Sequence, residues 1–218
     1  MYKLAVFDLD GTLLNTLTDL AVACNYALFQ ARFPVHMEQA YKHFVGNGVF
    51  NLIKNIVPAD YREDKELLER VKAYFDDYYT KHSKDYTAPY DGVKSMLRSL
   101  NTQGVKVAVL SNKAHQFTVG LVENYFPGLV DVVYGQRNEY PKKPDPTVVF
   151  DIMKELGATA EETIYIGDSG VDMQTAKNAG LTAVGVLWGF RDADELLGSG
   201  ADILVEDIEA LLQKIVDK

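Results

Sequence analysis

Six stretches of this chain are apolar almost without interruption. Four are strong: KLAVFD (Lys3 to Asp8), VKVAVLS (Val105 to Ser111), TIYIGD (Thr163 to Asp168) and TAVGVLW (Thr182 to Trp188). Two are weaker, LVDVVYG (Leu129 to Gly135) and ADILV (Ala201 to Val205). A strand with one wet face alternates apolar and polar residues, whereas a strand covered on both faces does not. The runs therefore predict buried strands of a parallel sheet. Helical patterns separate them. Asp145-Pro146 reads as an N-cap followed by proline at the first helical position, and Gly157 closes that helix. Gly180 stands where a helix over about residues 171–179 should stop. This alternation predicts an α/β fold, a doubly wound parallel sheet with right-handed crossovers.

From about Thr16 to Tyr86 the alternation breaks, and only helical patterns remain. Leu67, Leu68, Val71, Tyr74, Phe75, Tyr78 and Tyr79 recur at helical spacing, and core packing is the expected role of that stripe. The insertion begins after the first strand and ends near APYDG (Ala88 to Gly92), a turn-rich return point. The expected organisation is an α/β core of residues 1–15 and 87–218 with a helical cap domain, residues 16–86, inserted into it.

Composition narrows the function. With 218 residues, 47% of them hydrophobic, the chain reads as soluble and globular, and its net charge of -9 argues against a nucleic-acid surface. An anionic substrate would have to be drawn in by local cations, not by the overall field. The single cysteine, Cys24, excludes an internal disulfide and reads as core. His36, His43, His82 and His115 are scattered without metal-ligand spacing and read as surface or packing residues. The first apolar run meets Asp8 too soon for a signal segment, and no stretch approaches a membrane span. A cytoplasmic protein without membrane or nucleic-acid partners is expected.

Ligands of an open α/β sheet bind beyond the carboxyl ends of its strands. There the chain delivers Asp8 and Asp10, then Ser111 and Asn112, then Asp168 with Asp172 close behind. The loop after LVDVVYG adds Lys142-Lys143-Pro144-Asp145-Pro146. Buried carboxylates cost several kcal/mol each unless something compensates them, so clustered acids at a strand end point to a cation and a reaction.

DLDGT (Asp8 to Thr12), Ser111-Asn112, Lys143-Pro144 and GDSGVD (Gly167 to Asp172) resemble, in order, the four motifs of the haloacid-dehalogenase superfamily. The helical insertion matches the position of that superfamily's cap. APYDGV, SNK, KKPDP and VLWGF are further similar to its phosphoglycolate phosphatase branch. Asp8, Asp168 and Asp172 bring three negative charges to a site for a phosphate dianion, and Lys143 alone does not balance them. An all-oxygen donor set selects a hard divalent cation such as Mg²⁺. The resemblance implies that Asp8 and Asp168 bind it by side chains and Asp10 by its backbone carbonyl. Asp172 is expected to bind through water or to orient that shell.

On this reading Asp8 is the nucleophile of an aspartyl-phosphate mechanism, and Asp10 the acid and base. Ser111 and Lys143 contact the phosphoryl oxygens, and Asn112 joins the substrate-binding set. Thr12 has two readings, a phosphate contact or a cap for the next helix. Asn15 stands where the family more often has aspartate. Asn47 and Gly48, before a helical stretch at about Val49 to Ile56, form either a substrate loop or a plain glycine turn. Trp188 lines a pocket or packs in the core, and Arg191 assists an anion or is solvated.

The expected function is Mg²⁺-dependent hydrolysis of a small phosphometabolite, 2-phosphoglycolate foremost. A β-phosphoglucomutase-like enzyme, a pyrophosphatase and a nucleotidase keep the same nucleophile. A phosphoaspartate receiver module is the alternative from another class, though such modules are shorter and lack the insertion.

Overall fold

The computed structural model describes residues 1–217. The chain opens with β1 (Leu4–Phe7), turns tightly, and reaches the two-residue strand β2 (Leu14–Asn15). Helices α1 (Leu17–Gln30), α2 (Tyr41–Phe44), α3 (Val49–Ile56) and α4 (Lys65–His82) follow. After β3 (Ala88–Pro89) the alternation begins: α5 (Val93–Thr102), β4 (Lys106–Ala114), α6 (His115–Tyr125), β5 (Val132–Gln136), α7 (Thr147–Leu156) and β6 (Thr163–Gly167). Then come α8 (Gly170–Asn178), β7 (Thr182–Val186), α9 (Ala193–Gly198), β8 (Ile203–Val205) and α10 (Ile208–Val216).

Six of these strands form one sheet in the order β5-β4-β1-β6-β7-β8, each neighbour parallel. The unbroken apolarity of the runs has the expected cause, since both faces are covered. Ala5 and Phe7, Val107 and Val109, and Ile164 and Ile166 pack with α5, α6 and α10. Leu4 and Val6, Ala108 and Leu110, and Tyr165 pack with α7, α8 and α9. Burying each of the Val, Leu, Ile and Phe side chains among them contributes about 1.5–3 kcal/mol, which makes β1 between β4 and β6 a rigid support for whatever follows Phe7.

Two details differ from the sequence reading. The Asp145 carboxylate accepts from the Thr147 amide at 2.9 Å, so α7 begins one residue later, with Pro146 in the cap position. The strands β2 and β3 pair with one another where only helix was expected to begin and end, being too short to carry a pattern. Gly157 and Gly180 do close their helices, with φ of +67° and +71°.

The chain separates into two compact units, Met1–Leu14 with Pro89 onward, and Asn15–Ala88. In the second, α4 buries Leu67, Leu68, Val71, Phe75 and Tyr79. The buried Asp19 carboxylate of α1 ties down the end of this unit, accepting from the Tyr86 amide at 3.0 Å, the Thr87 amide at 2.8 Å and the Thr87 hydroxyl at 2.7 Å. His36 is less incidental than its spacing suggests. Its amide and carbonyl are bridged by the Asn25 amide group, and its Nε2 lies 2.7 Å from the Ile56 carbonyl. No helix among the described residues is long and apolar enough to cross a membrane.

Candidate active site

The chain leaves β1 through Asp8 and turns back at once, with the amides of Leu13 and Leu14 both donating to the Leu9 carbonyl at 3.0 Å. That turn needs Gly11, whose φ of +83° is open to glycine but strained for other residues. Asp8 is thus fixed at the carboxyl end of the central strand and is nearly buried. Asp168 follows β6, the strand beside it. Asp172 lies in the first turn of α8. One oxygen from each of the three falls within 4.8 Å of the others.

Lys143 enters this cluster fully buried. Its Nζ donates to Asp172 Oδ1 at 2.7 Å and to the Leu110 carbonyl at 3.1 Å, and lies 3.0 Å from Asp8 Oδ1. The last contact is an ion pair only: Asp8 Oδ1 is buried with no hydrogen-bond donor aimed at it. Burial alone would depress the Lys143 ammonium, but Asp172 and Asp8 outweigh it and hold its pKa well above the ordinary value. Burial, then the Asp172 charge, pushes Asp8 up to about 7 despite Lys143. Burial and the neighbouring Asp172 and Asp8 likewise raise Asp168 well above the carboxylate range.

The oxygens of Asp168 and Asp172 are held. Asp168 accepts from the Phe190 amide at 2.8 Å and the Thr12 hydroxyl at 3.2 Å. Asp172 Oδ2 accepts from the Ser169 amide at 3.1 Å and hydroxyl at 2.6 Å, closing a capping box on α8, while Tyr165 donates to Oδ1 at 3.4 Å. Glycines make room for these carboxylates: a Cβ at Gly11 or Gly189 would overlap Asp168, and one at Gly167 would overlap Asp172.

Of the residues expected at the site, Asp8, Lys143, Asp168 and Asp172 come together in one cluster. Ser111 is buried on β4, its Oγ accepting from the Lys113 amide at 3.3 Å. Two of the expected substrate contacts also have partners within the protein. Asn112 holds the Lys143 backbone at both ends of its amide, accepting from Lys143 N at 2.9 Å and donating to Lys143 O at 3.3 Å. Thr12 donates to Asp168 and caps no helix, because α1 starts only at Leu17. Trp188 donates to the Thr12 carbonyl at 3.0 Å, and Arg191 is paired with Glu195 at 3.1 Å. In the helical unit, Asn15 accepts from the Leu17 amide at 3.3 Å, while Gly48 caps α3 at φ +83° and the Asn47 carbonyl accepts from Asn51 at 3.0 Å.

Lys113 is the residue that sequence reasoning passed over. Its Nζ straddles the Asp10 carboxylate at 3.1 and 3.2 Å, with both side chains almost wholly buried. Only its place in the SNK triplet at a strand end hinted at a role.

The cluster suits a divalent cation. Three buried carboxylates face one another, one oxygen has no donor, and all donors are oxygen, the preference of a hard ion. The family model of haloacid dehalogenase-like hydrolases matches residues 5–186. The chain belongs to that family. This hydrolase is 33% identical over 223 residues to a phosphoglycolate phosphatase of Pseudomonas putida, covering 99% of this chain and 80% of the relative. A phosphoglycolate phosphatase of Vibrio parahaemolyticus is 32% identical, with 98% of this chain and 96% of the relative covered. The crystal structure of a candidate phosphoglycolate phosphatase from Lactobacillus delbrueckii subsp. bulgaricus superposes with a TM-score of 0.94 at 32% identity, over 100% of this chain and 99% of that one. These relatives put the hydrolase in the phosphoglycolate phosphatase-like branch, as a phosphatase of small phosphorylated substrates. Phosphatases of this family generally use a divalent metal ion.

Proposed function

We propose that this phosphatase hydrolyses the phosphate monoester of a small metabolite, 2-phosphoglycolate foremost, through an aspartyl-phosphate on Asp8 with Mg²⁺ as cofactor. The observation that carries the reading is Asp8 itself, a buried carboxylate whose Oδ1 has a lysine ammonium 3.0 Å away and no hydrogen-bond donor. A carboxylate kept as a mere structural acceptor would be saturated with donors, as Asp172 is.

In the first step an Asp8 oxygen attacks phosphorus in line with the leaving oxygen, which takes the proton of Asp10 as its bond to phosphorus breaks. Ser111 donates its hydroxyl proton, and Lys143 its charge, to the phosphoryl oxygens. In the second step Asp10 accepts a proton from water, which attacks the phosphoaspartate, and Asp8 is released with inorganic phosphate. Asp8 and Asp168 would hold Mg²⁺ by their side chains and Asp10 by its backbone carbonyl, since Lys113 already engages its side chain. When bound, the ion supplies charge neutralisation for the phosphate dianion among these acids. Asp172, committed to Lys143 and Ser169, orients the shell instead of binding directly.

We assign the helical unit, residues 15–88, the role of a cap, with Asn47 and Gly48 serving discrimination between substrates. Asn47→Ala should then alter the preference among metabolites more than turnover of a minimal aryl phosphate.

The test is inorganic phosphate release from 2-phosphoglycolate, β-glucose 1-phosphate, pyrophosphate and nucleoside monophosphates, with Mg²⁺ and with excess chelator. Metal-dependent turnover led by 2-phosphoglycolate is expected, and Asp8→Asn should abolish it in a folded protein. Substantial metal-dependent activity in Asp8→Asn would overturn the nucleophile, and a different leading substrate would replace 2-phosphoglycolate.

A further inference from the structure

The Asp10–Lys113 pair is unlike the surface ion pairs of this molecule. Exposed pairs are worth little because water screens them, but here the side chains are only 11% and 7% exposed. The ammonium sits 3.1 and 3.2 Å from the two oxygens, so it fixes the plane of the carboxylate as well as its position. Asp10 needs that help. It stands in the turn after β1, beyond the ladder that immobilises Asp8, and Lys143 is already committed to Asp8 and Asp172.

Lys113 is itself held from several sides. Its carbonyl accepts from Thr118 Oγ1 at 3.1 Å. Gly135 of β5 approaches so closely that a Cβ there would fall 2.8 Å from the Lys113 carbonyl oxygen. Its amide donates to Ser111 Oγ at 3.3 Å, which leaves the hydroxyl proton of Ser111 to be given elsewhere. One residue at the end of β4 thus touches two groups of the proposed chemistry, Ser111 by its backbone and Asp10 by its side chain.

We propose that Lys113 is a positioning residue for Asp10, holding its carboxylate where a proton passes to the leaving oxygen. The inference rests on the phosphatase reading above. It acts on a particular step, because only a poor leaving group needs that proton. An alkoxide must be protonated as the P–O bond breaks, whereas 2,4-dinitrophenolate departs as the anion. Loss of Lys113 should therefore be felt according to the leaving group.

The experiment compares kcat/KM, which reports steps up to phosphorylation of Asp8, for 2-phosphoglycolate or the best alkyl phosphate found and for 2,4-dinitrophenyl phosphate. Lys113→Met should lower the alkyl value by about 100-fold and the dinitrophenyl value by less than about threefold. Lys113→Arg, which can still span both oxygens, should recover most of the loss. In an Asp10→Asn background, Lys113→Met should add nothing further. Equal losses on both esters, or a full additional loss in the Asp10→Asn background, would overturn the inference. If Lys113→Met does not fold, Lys113→Gln carries the same comparison. A wild-type protein inactive towards both esters would instead sink the phosphatase reading, and the inference with it.

Discussion

A side chain at Gly11 would collide with the Asp168 carboxylate, although 157 positions separate the two in the chain. The turn that presents Asp8 and Asp10 is therefore shaped around an acid delivered by another strand. Gly11→Ala should displace Asp168 or unwind the turn and lower kcat by at least about 100-fold, since a misplacement of about 1 Å is enough for that. Gly104→Ala is the control. Its φ of +79° is similarly unfavourable, but a Cβ there meets open space. It should cost about 1 kcal/mol of stability and leave activity alone. Phosphate release and urea melts of both variants separate crowding from backbone strain.

The buried pair of Asp172 and Lys143 makes a second prediction. Asp172 Oδ1 lies 2.7 Å from the Lys143 ammonium, and its Oδ2 closes the box on Ser169. Breaking a buried pair costs about 3–5 kcal/mol, and removing Asp172 leaves the Lys143 ammonium only the Asp8 carboxylate. Asp172→Ala should show a destabilisation of that order in urea, together with loss of turnover. Asp172→Asn can keep its oxygen on Ser169 only by turning its NH2 group towards Lys143, so it should fold with a smaller penalty than Asp172→Ala, yet lose activity because Lys143 is left to the Asp8 ion pair alone. A fully active Asp172→Asn would show that its charge has no part in the site.

The helical unit yields a third. Four hydrogen bonds converge on Asp19 from Tyr86 and Thr87, which makes this carboxylate the anchor of the returning segment. Asp19→Ala strands those donors and should destabilise the protein by about 2–3 kcal/mol. Limited proteolysis should show earlier cleavage near Tyr86. Unchanged proteolysis would mean that the return segment is held by other contacts.

What could be read beforehand follows a physical division. The six strands were legible because burial on both faces writes itself locally, as unbroken apolar runs such as Leu4–Phe7 and Thr163–Gly167. Acids at their ends were legible as a set, because several carboxylates delivered to one sheet edge need a cation to offset them. Partnerships were not. Lys113 looks like any lysine, and its meaning lies in Asp10, 103 positions away. Nothing local in Asn112 or Thr12 foretells that they also hydrogen-bond Lys143 and Asp168. The β2–β3 pair has two residues in each strand, below the length at which periodicity exists.

Protons and a divalent cation should compete for the carboxylate cluster. In the metal-free protein burial, reinforced by Asp172, pushes Asp8 from the ordinary carboxylate range up to about 7, and Asp168 is raised as well. The folded state therefore binds protons that the unfolded state has already released. By linkage, stability is greatest below the unfolded carboxylate range and is lost as pH rises through about 4 to about 7. The metal-free melting temperature should fall across that window, by about 2–4 °C for each kcal/mol lost at this chain length. Added Mg²⁺ should restore it, and more strongly at pH 8 than at pH 5, because ligation requires the ionised carboxylates. Asp8→Asn removes one of the opposed charges. It should flatten the metal-free profile and melt higher than the wild type at pH 8, while losing most of the Mg²⁺ response. Calorimetry of both proteins with and without Mg²⁺ decides the matter: a metal-free wild type whose melting temperature does not fall from pH 5 to pH 8 would show that the cluster is not strained by its own charge.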